Sequence, residues 1–141
     1  MTLSLSEQLQ IKRILRETRT IAVVGLSPKS SRPSHEVASY LLAAGYEVIP
    51  VNPGQQQILG RRCYPDLDAI PVQVDLVDIF RAPSEVLPIV EAAVRIGAKV
   101  VWMQLGVVNR EAAAVAAAAG LVVIMDRCLK SDHLDFGPAA G

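Results

Sequence analysis

The chain has 141 residues, 51% of them hydrophobic, and its 14 basic and 14 acidic side chains cancel at neutral pH. This is enough for one substantial core and a single domain over residues 1–141, and the absence of net charge removes any general field for nucleic acid or an anionic membrane. Aromatics make up 4% of the chain, few for single-stranded nucleic-acid stacking, and Cys63 and Cys128 show no CxxC or metal-ligand spacing.

Ser4 and Glu7 have capping-box spacing ahead of Leu5, Leu9, Ile11, Ile14 and Leu15, which predicts a leading helix over about residues 4–18. Its interspersed charges fit neither a signal peptide nor a membrane span, so a cytoplasmic protein is expected. Ile21 to Val24 reads as a buried strand that breaks at Gly25 into a hydroxyl-rich, basic loop ending near His35. Pro33 suits a first helical turn, whose free N–H groups and dipole attract anions. Helical spacing through Val37, Tyr40, Leu41 and Ala44 ends at Gly45, a left-handed cap position.

Glu47 to Val51 is the second expected strand. A long loop follows from Asn52 to Pro71, in which Cys63 to Leu67 leads into a single helical turn. Val74 to Phe80 predicts a third strand, with Asp75 and Asp78 as strand-end or capping residues. A helix over Ser84 to Ile96 stops at Gly97, and Lys99 to Met103 is a fourth strand. Asn109 caps an alanine-rich helix that Gly120 ends, and Leu121 to Met125 is a fifth strand. From Asp126 the chain reads as a polar tail, flexible over about residues 136–141, with His133 in solvent.

Alternating strands and helices predict an α/β fold: one Rossmann-like, doubly wound parallel sheet of five strands, with a core over about residues 20–130 and helices on both faces. Ligands of such sheets bind beyond the carboxyl ends of the strands. The exits here begin at Gly25, Asn52, Phe80, Gln104 and Asp126, and Lys29, Arg32, Arg61, Arg62, Arg81, Arg127 and Lys130 lie in them or just after. A neutral chain thus acquires a basic edge, although loops attract charge in any protein.

The first loop lacks two glycines of GxGxxG, and the second strand ends at Asn52-Pro53 without the acid that binds a ribose hydroxyl, so NAD is disfavoured. No Walker motif is present. His35 reads as a helix-start neighbour or a phosphate contact rather than a catalytic base. Cys128 stands between Arg127 and Lys130, where positive charge favours a thiolate, but an inert buried cysteine fits equally well. Cys63 is expected to serve surface or packing duty.

Taken together, Gly25-Leu26-Ser27-Pro28-Lys29-Ser30-Ser31-Arg32-Pro33-Ser34, Pro50-Val51-Asn52-Pro53, Asp78-Ile79-Phe80-Arg81, Val101 to Gly106 and Met125-Asp126-Arg127-Cys128 resemble the stand-alone CoA-binding protein family. That family is related to the CoA-binding domain of the succinyl-CoA synthetase alpha subunit. The resemblance implies strand order 3-2-1-4-5 and coenzyme A, or an acyl-CoA, lying across the carboxyl edge. By position, Gly25, Ser27, Lys29 and Arg32 would hold the pyrophosphate, and Asn52 and Pro53 the adenosine side. Arg81 would contact phosphate or pantetheine; Met103, Gln104 and Gly106 would border the arm, with Cys128 near its thiol.

Unlike the synthetase, the chain has Ser-Pro-Lys-Ser in its first loop, Gln55-Gln56 after its Val-x-Pro segment and no phosphohistidine domain, so ligase activity does not carry over. The expectation is a binding module without catalysis of its own, with a small-molecule CoA partner, no nucleic acid, no membrane and a homo-oligomeric state. The alternatives are a thioester or acyl-transfer enzyme using Cys128 or His35, a thiol-redox protein using Cys128, and an NAD oxidoreductase.

Overall fold

The computed structural model describes residues 3–138. Helix α1 (Leu5–Glu17) begins with the capping box: the Glu7 N–H donates to the Ser4 hydroxyl at 3.1 Å, and the Ser4 N–H donates to the Glu7 carboxylate at 3.2 Å. Two donors of the first turn are thereby satisfied, and Ile11, Ile14 and Leu15 give the helix its buried stripe.

The chain continues through β1 (Thr20–Val24), α2 (Pro33–Ala43), β2 (Glu47–Val51), a short hairpin of β3 (Gln57–Ile58) and β4 (Arg61–Arg62), and β5 (Leu76–Ile79). Then come α3 (Val86–Arg95), β6 (Val100–Met103), α4 (Arg110–Ala118), β7 (Val122–Met125) and α5 (Leu129–Phe136). Gly45 and Gly97 take the left-handed conformations that end α2 and α3, at φ +102° and +76°. The Asn109 side chain accepts from the Ala112 N–H at 2.9 Å and caps α4.

All five long strands pair in parallel, and both faces of the sheet are covered. One face carries α1, α2 and α5, with Ile11, Leu41, Trp102 and Leu129 in its core. The other carries α3, α4 and the 3-10 turn Leu67–Ala69, with Leu67, Val90, Met103 and Ala112. Burial on both sides explains why the strands read as continuous apolar runs rather than alternating ones.

The doubly wound parallel sheet is as expected; the strand order is not. The order is β2-β1-β5-β6-β7, which is 2-1-3-4-5 among the five strands instead of 3-2-1-4-5. The third strand therefore pairs with the first and not the second. The chain after β2 itself occupies the outer edge of that strand: the Tyr64 N–H donates to the Pro50 carbonyl at 3.0 Å and the Asn52 N–H to the Tyr64 carbonyl at 2.9 Å. Pro50 has no N–H to offer a second neighbour, which confines β2 to the edge.

The C-terminal segment differs too. Leu129 to Phe136 is a helix packed on the α1/α2 face, not a solvated tail, so the flexible stretch expected from residue 136 starts inside an ordered helix. Residues 139–141 of that expected tail lie outside the described residues.

Candidate functional site

With this strand order the chain leaves β1 to one side and β5 to the other, so the crevice opens between the carboxyl ends of β1 and β5. Gly25 and Phe80-Arg81 are those ends. Gly25 has φ +87°, and a Cβ there would collide with the Phe80 carbonyl oxygen and lie 2.9 Å from Arg81 Cδ. Glycine is thus needed both for the turn and for the close approach. Beside it lies a groove of about 520 Å³ lined by Val24, Gly25, Val51, Asn52, Pro53 and Arg81, with Leu67, Pro88 and Ile89 as its apolar wall. Four of the expected binding residues meet there.

The loop after Gly25 is tied by its own hydroxyls. The Ser27 N–H donates to Ser34 Oγ at 3.0 Å, and the Lys29 N–H to Ser27 Oγ at 3.1 Å. Pro33 is at the first position of α2, and Arg32, the N-cap, makes no side-chain capping bond, so no side chain from the cap position covers the positive end of the helix.

Charge at the rim is more selective than the sequence suggests. Arg61 pairs with Glu47 at 3.0 Å, Arg81 with Glu85 at 2.8 Å, Arg127 with Asp132 at 2.7 Å and Lys130 with Glu36 at 2.9 Å, while Arg62 stacks over Tyr64. Lys29 and Arg32 are exposed, and neither forms an ion pair with a described residue. Those two cations are the ones left to meet an anion.

Asn52 fastens two exits together: its Nδ2 donates to the Leu26 carbonyl at 3.0 Å and its Oδ1 accepts from the Gly54 N–H at 2.8 Å. Pro53 stands exposed on the groove rim. Cys63 is buried and its thiol donates to the Asn52 carbonyl at 3.4 Å. Burial raises its pKa against the opposing effect of the backbone groups of Asn52 and Tyr64, as suits a packing residue.

Met103, Gln104, Gly106 and Cys128 lie outside this groove. Met103 is completely buried on the α3/α4 side and is a core residue rather than a wall of the site. Gln104 is buried on the opposite face, its Oε1 accepting from the Leu129 N–H at 3.0 Å. The exposed Gly106, at φ +86°, donates its N–H to Asp126 Oδ1 at 2.7 Å. Cys128, half-buried, is the N-cap of α5. Burial alone would raise its thiol pKa, but the Ser131 and Lys130 N–H groups, the Ser131 hydroxyl and the Gln104 side chain outweigh it, and the net shift is downward.

His35 is half-buried in the first turn of α2. His133, expected in solvent, is half-buried in α5 and shares a 2.7 Å hydrogen bond between its Nδ1 and the Tyr40 hydroxyl. Asp75 has the expected strand-end role, accepting from the Arg19 and Thr20 N–H groups at 3.0 and 3.1 Å. Asp78 does not: it is completely buried in β5. Among the described residues no cluster of His, Cys, Asp or Glu could hold a metal ion, and no helix is long and apolar enough to cross a membrane.

A family model described as "CoA binding domain" matches residues 19–133. The chain is 40% identical over 124 residues to the uncharacterized protein YneT of Bacillus subtilis, covering 88% of this chain and 92% of that one. It is 31% identical over 122 residues to the ADP-forming acetate–CoA ligase I of Archaeoglobus fulgidus, covering 79% of this chain but only 18% of the ligase. A solved structure of a hypothetical protein from Pyrococcus horikoshii superposes with a TM-score of 0.92 at 40% identity, covering 96% of this chain and 97% of that one.

Proposed function

The chain belongs to the CoA binding domain family, and from that premise we propose that it binds coenzyme A or an acyl-CoA along the carboxyl edge of the sheet, as a cytoplasmic binding module without catalysis of its own. The observation that carries this reading is the conjunction, at the β1/β5 crevice, of a largely apolar groove with a loop whose Lys29 and Arg32 have no acidic partner among the described residues. CoA needs both, because its phosphates require several donors while its base and arm require apolar cover.

On this reading Gly25, Ser27, Lys29 and Arg32 hold the pyrophosphate at the start of α2, and Asn52 and Pro53 border the adenosine. Arg81 is drawn from Glu85 to a phosphate, and the pantetheine arm runs past Gly106 toward Gln104 and Cys128. The second strand ends in Asn52 and not an acid, which argues against a dinucleotide read through its ribose hydroxyls. The ligase relative is several times longer than this chain, so its reaction is not part of the proposal.

Calorimetric titration of the reduced protein with CoA, acetyl-CoA, dephospho-CoA, ADP and NAD tests the assignment. CoA or acetyl-CoA is expected to bind at least tenfold more tightly than NAD, a difference of about 1.4 kcal/mol. Equal affinities for CoA and NAD would reject it.

A further inference from the structure

Asp78 is left unused by CoA binding. It lies in the middle of β5, completely buried, and neither carboxyl oxygen has a hydrogen-bond partner among the described residues. Its register neighbours on the same face, Val23 of β1 and Trp102 of β6, are buried as well. A carboxylate in such surroundings keeps its proton. Burial first, and then the charge of Cys128, push the Asp78 pKa well above the ordinary carboxyl range.

The same face of the sheet holds the segment that carries Cys128. Trp102 Nε1 donates to the Arg127 carbonyl at 2.8 Å, and Gln104 Oε1 accepts from the Leu129 N–H at 3.0 Å. Cys128 lies between these two anchored residues, over the face on which Asp78 stands. The two acids have unequal surroundings: the sulfur faces the start of the eight-residue helix α5, the Ser131 hydroxyl and the Gln104 side chain, and the carboxyl has no donor among the described residues. A negative charge shared by the pair therefore settles on sulfur, and the proton on Asp78.

Resting on the CoA reading, we propose that Cys128 is a thiol–disulfide exchange site for the disulfide form of CoA, and that Asp78 is its positioning residue, an uncharged buried acid that leaves the thiolate unopposed. The Cys128 thiolate attacks one sulfur of CoA disulfide, whose S–S bond breaks. One CoA remains as a Cys128–S–S–CoA mixed disulfide, and the other leaves as a thiolate that takes a proton from water. CoA disulfide is the oxidant, and Asp78 retains its proton throughout.

Other charges near the sulfur are already engaged. Arg127 is paired with Asp132, Lys130 with Glu36 of α2, and Tyr40 of α2 lies under the Lys130 ammonium at 5.5 Å. His133, one turn along α5, is bonded to Tyr40, and Glu7 of α1 acts on Arg127 from a distance. Asp78 is the acid on this face without a partner among the described residues, and the charge of Cys128 acts on it; on this proposal the two lose their protons in coupled steps.

The test incubates reduced full-length protein with CoA disulfide and reads intact mass, alongside Cys128→Ser and Asp78→Asn, with calorimetric CoA binding measured on the same preparations. Wild type is expected to gain one CoA moiety, about tenfold faster than it reacts with hydroxyethyl disulfide because the bound arm positions the sulfur, and Cys128→Ser is expected to gain none. The rate of Cys128 alkylation by iodoacetamide against pH is expected to show two steps in wild type and one in Asp78→Asn. Absence of an adduct on protein that binds CoA overturns the inference while leaving the CoA reading intact; absence of CoA binding overturns that reading itself. An equal adduct on Cys128→Ser overturns the exchange site and not the CoA reading. A single-step wild-type profile overturns the role of Asp78, and needs no folded variant.

Discussion

Arg127 and Asp132 form a two-pronged ion pair across the turn from β7 into α5, with Nε to Oδ2 and Nη2 to Oδ1 both at 2.7 Å. The Asp132 side chain is only 3% exposed and that of Arg127 29%, so the pair is a structural brace and not a free cation awaiting phosphate. Removing Arg127 strands the Asp132 carboxylate in a dry place, and removing Asp132 leaves a part-buried guanidinium without its partner. Asp132→Ala is expected to cost about 3 kcal/mol, whereas the double change Arg127→Met with Asp132→Leu costs less than that single one. Urea unfolding midpoints decide it, and an Asp132→Ala midpoint equal to wild type would contradict the brace.

Gly25→Ala is the sharpest test of the crevice. Alanine at φ +87° is strained, and its methyl would meet the Phe80 carbonyl and Arg81. The expected loss is about 2 kcal/mol or more of stability, with weaker CoA binding in whatever protein folds. Gly106→Ala is the control: it also has positive φ, but no described residue comes within 4 Å of an added Cβ. If Gly25→Ala destabilises no more than Gly106→Ala, the close approach has no consequence.

Lys29→Ala and Arg32→Ala are expected to weaken CoA and ADP binding by about tenfold each, with losses that shrink as salt is added. Neither residue is buried or ion-paired to a described residue, so unfolding free energies should change by less than about 0.5 kcal/mol. An unchanged ADP affinity in both variants would remove the pyrophosphate from this loop.

Much of the fold was legible because the residues that carry it act locally. Ser4 and Glu7, Pro33, Gly45, Gly97 and Asn109 start or stop helices through bonds to their own neighbourhood, and each does so. The strand order was not local, yet one residue signalled it: Pro50 cannot sit in the interior of a sheet, which the order 3-2-1-4-5 requires of the second strand. Helix α5 was hidden because its buried face includes Asp132, a charge that reads as solvated until Arg127 is placed beside it. The β3/β4 hairpin turns on Leu59 and Gly60 at φ 54° and 71°, and leucine is not a residue that announces such a turn.

At the site, Gly25, Asn52, Pro53 and Arg81 converge because each ends or follows a strand at the same edge. Met103 failed for the same alternation that made its strand readable, since one residue short of the exit the side chain points into the core. Asp78 was read as a strand end because a buried carboxyl without a partner has no signature in sequence.

His133 makes stability fall on the acid side. Burial lowers its pKa below the ordinary 6.5, so as pH drops past that value the unfolded chain takes up a proton before the folded one. Stability is complete above 6.5 and is lost as pH falls toward the depressed folded-state value. His133→Gln should flatten this acid limb in thermal unfolding measured against pH. If variant and wild type lose stability in parallel, His133 is not the group responsible.

Asp78 acts in the opposite direction. Its folded-state pKa lies well above the ordinary 3.8, through burial and then the charge of Cys128. Any stability that the raised value contributes is fully present only below 3.8. As pH rises beyond that, the unfolded chain releases its proton first, and stability declines by up to about 1.4 kcal/mol per pH unit until the folded-state pKa is passed. Asp78→Leu places an apolar side chain between Val23 and Trp102 and removes the decline. At neutral pH this variant is expected to be more stable than wild type by about 1 kcal/mol or more. A wild-type-minus-variant difference that does not change with pH would mean that Asp78 is ionised in the fold, and that the buried acid carries its charge at a cost the rest of the structure offsets.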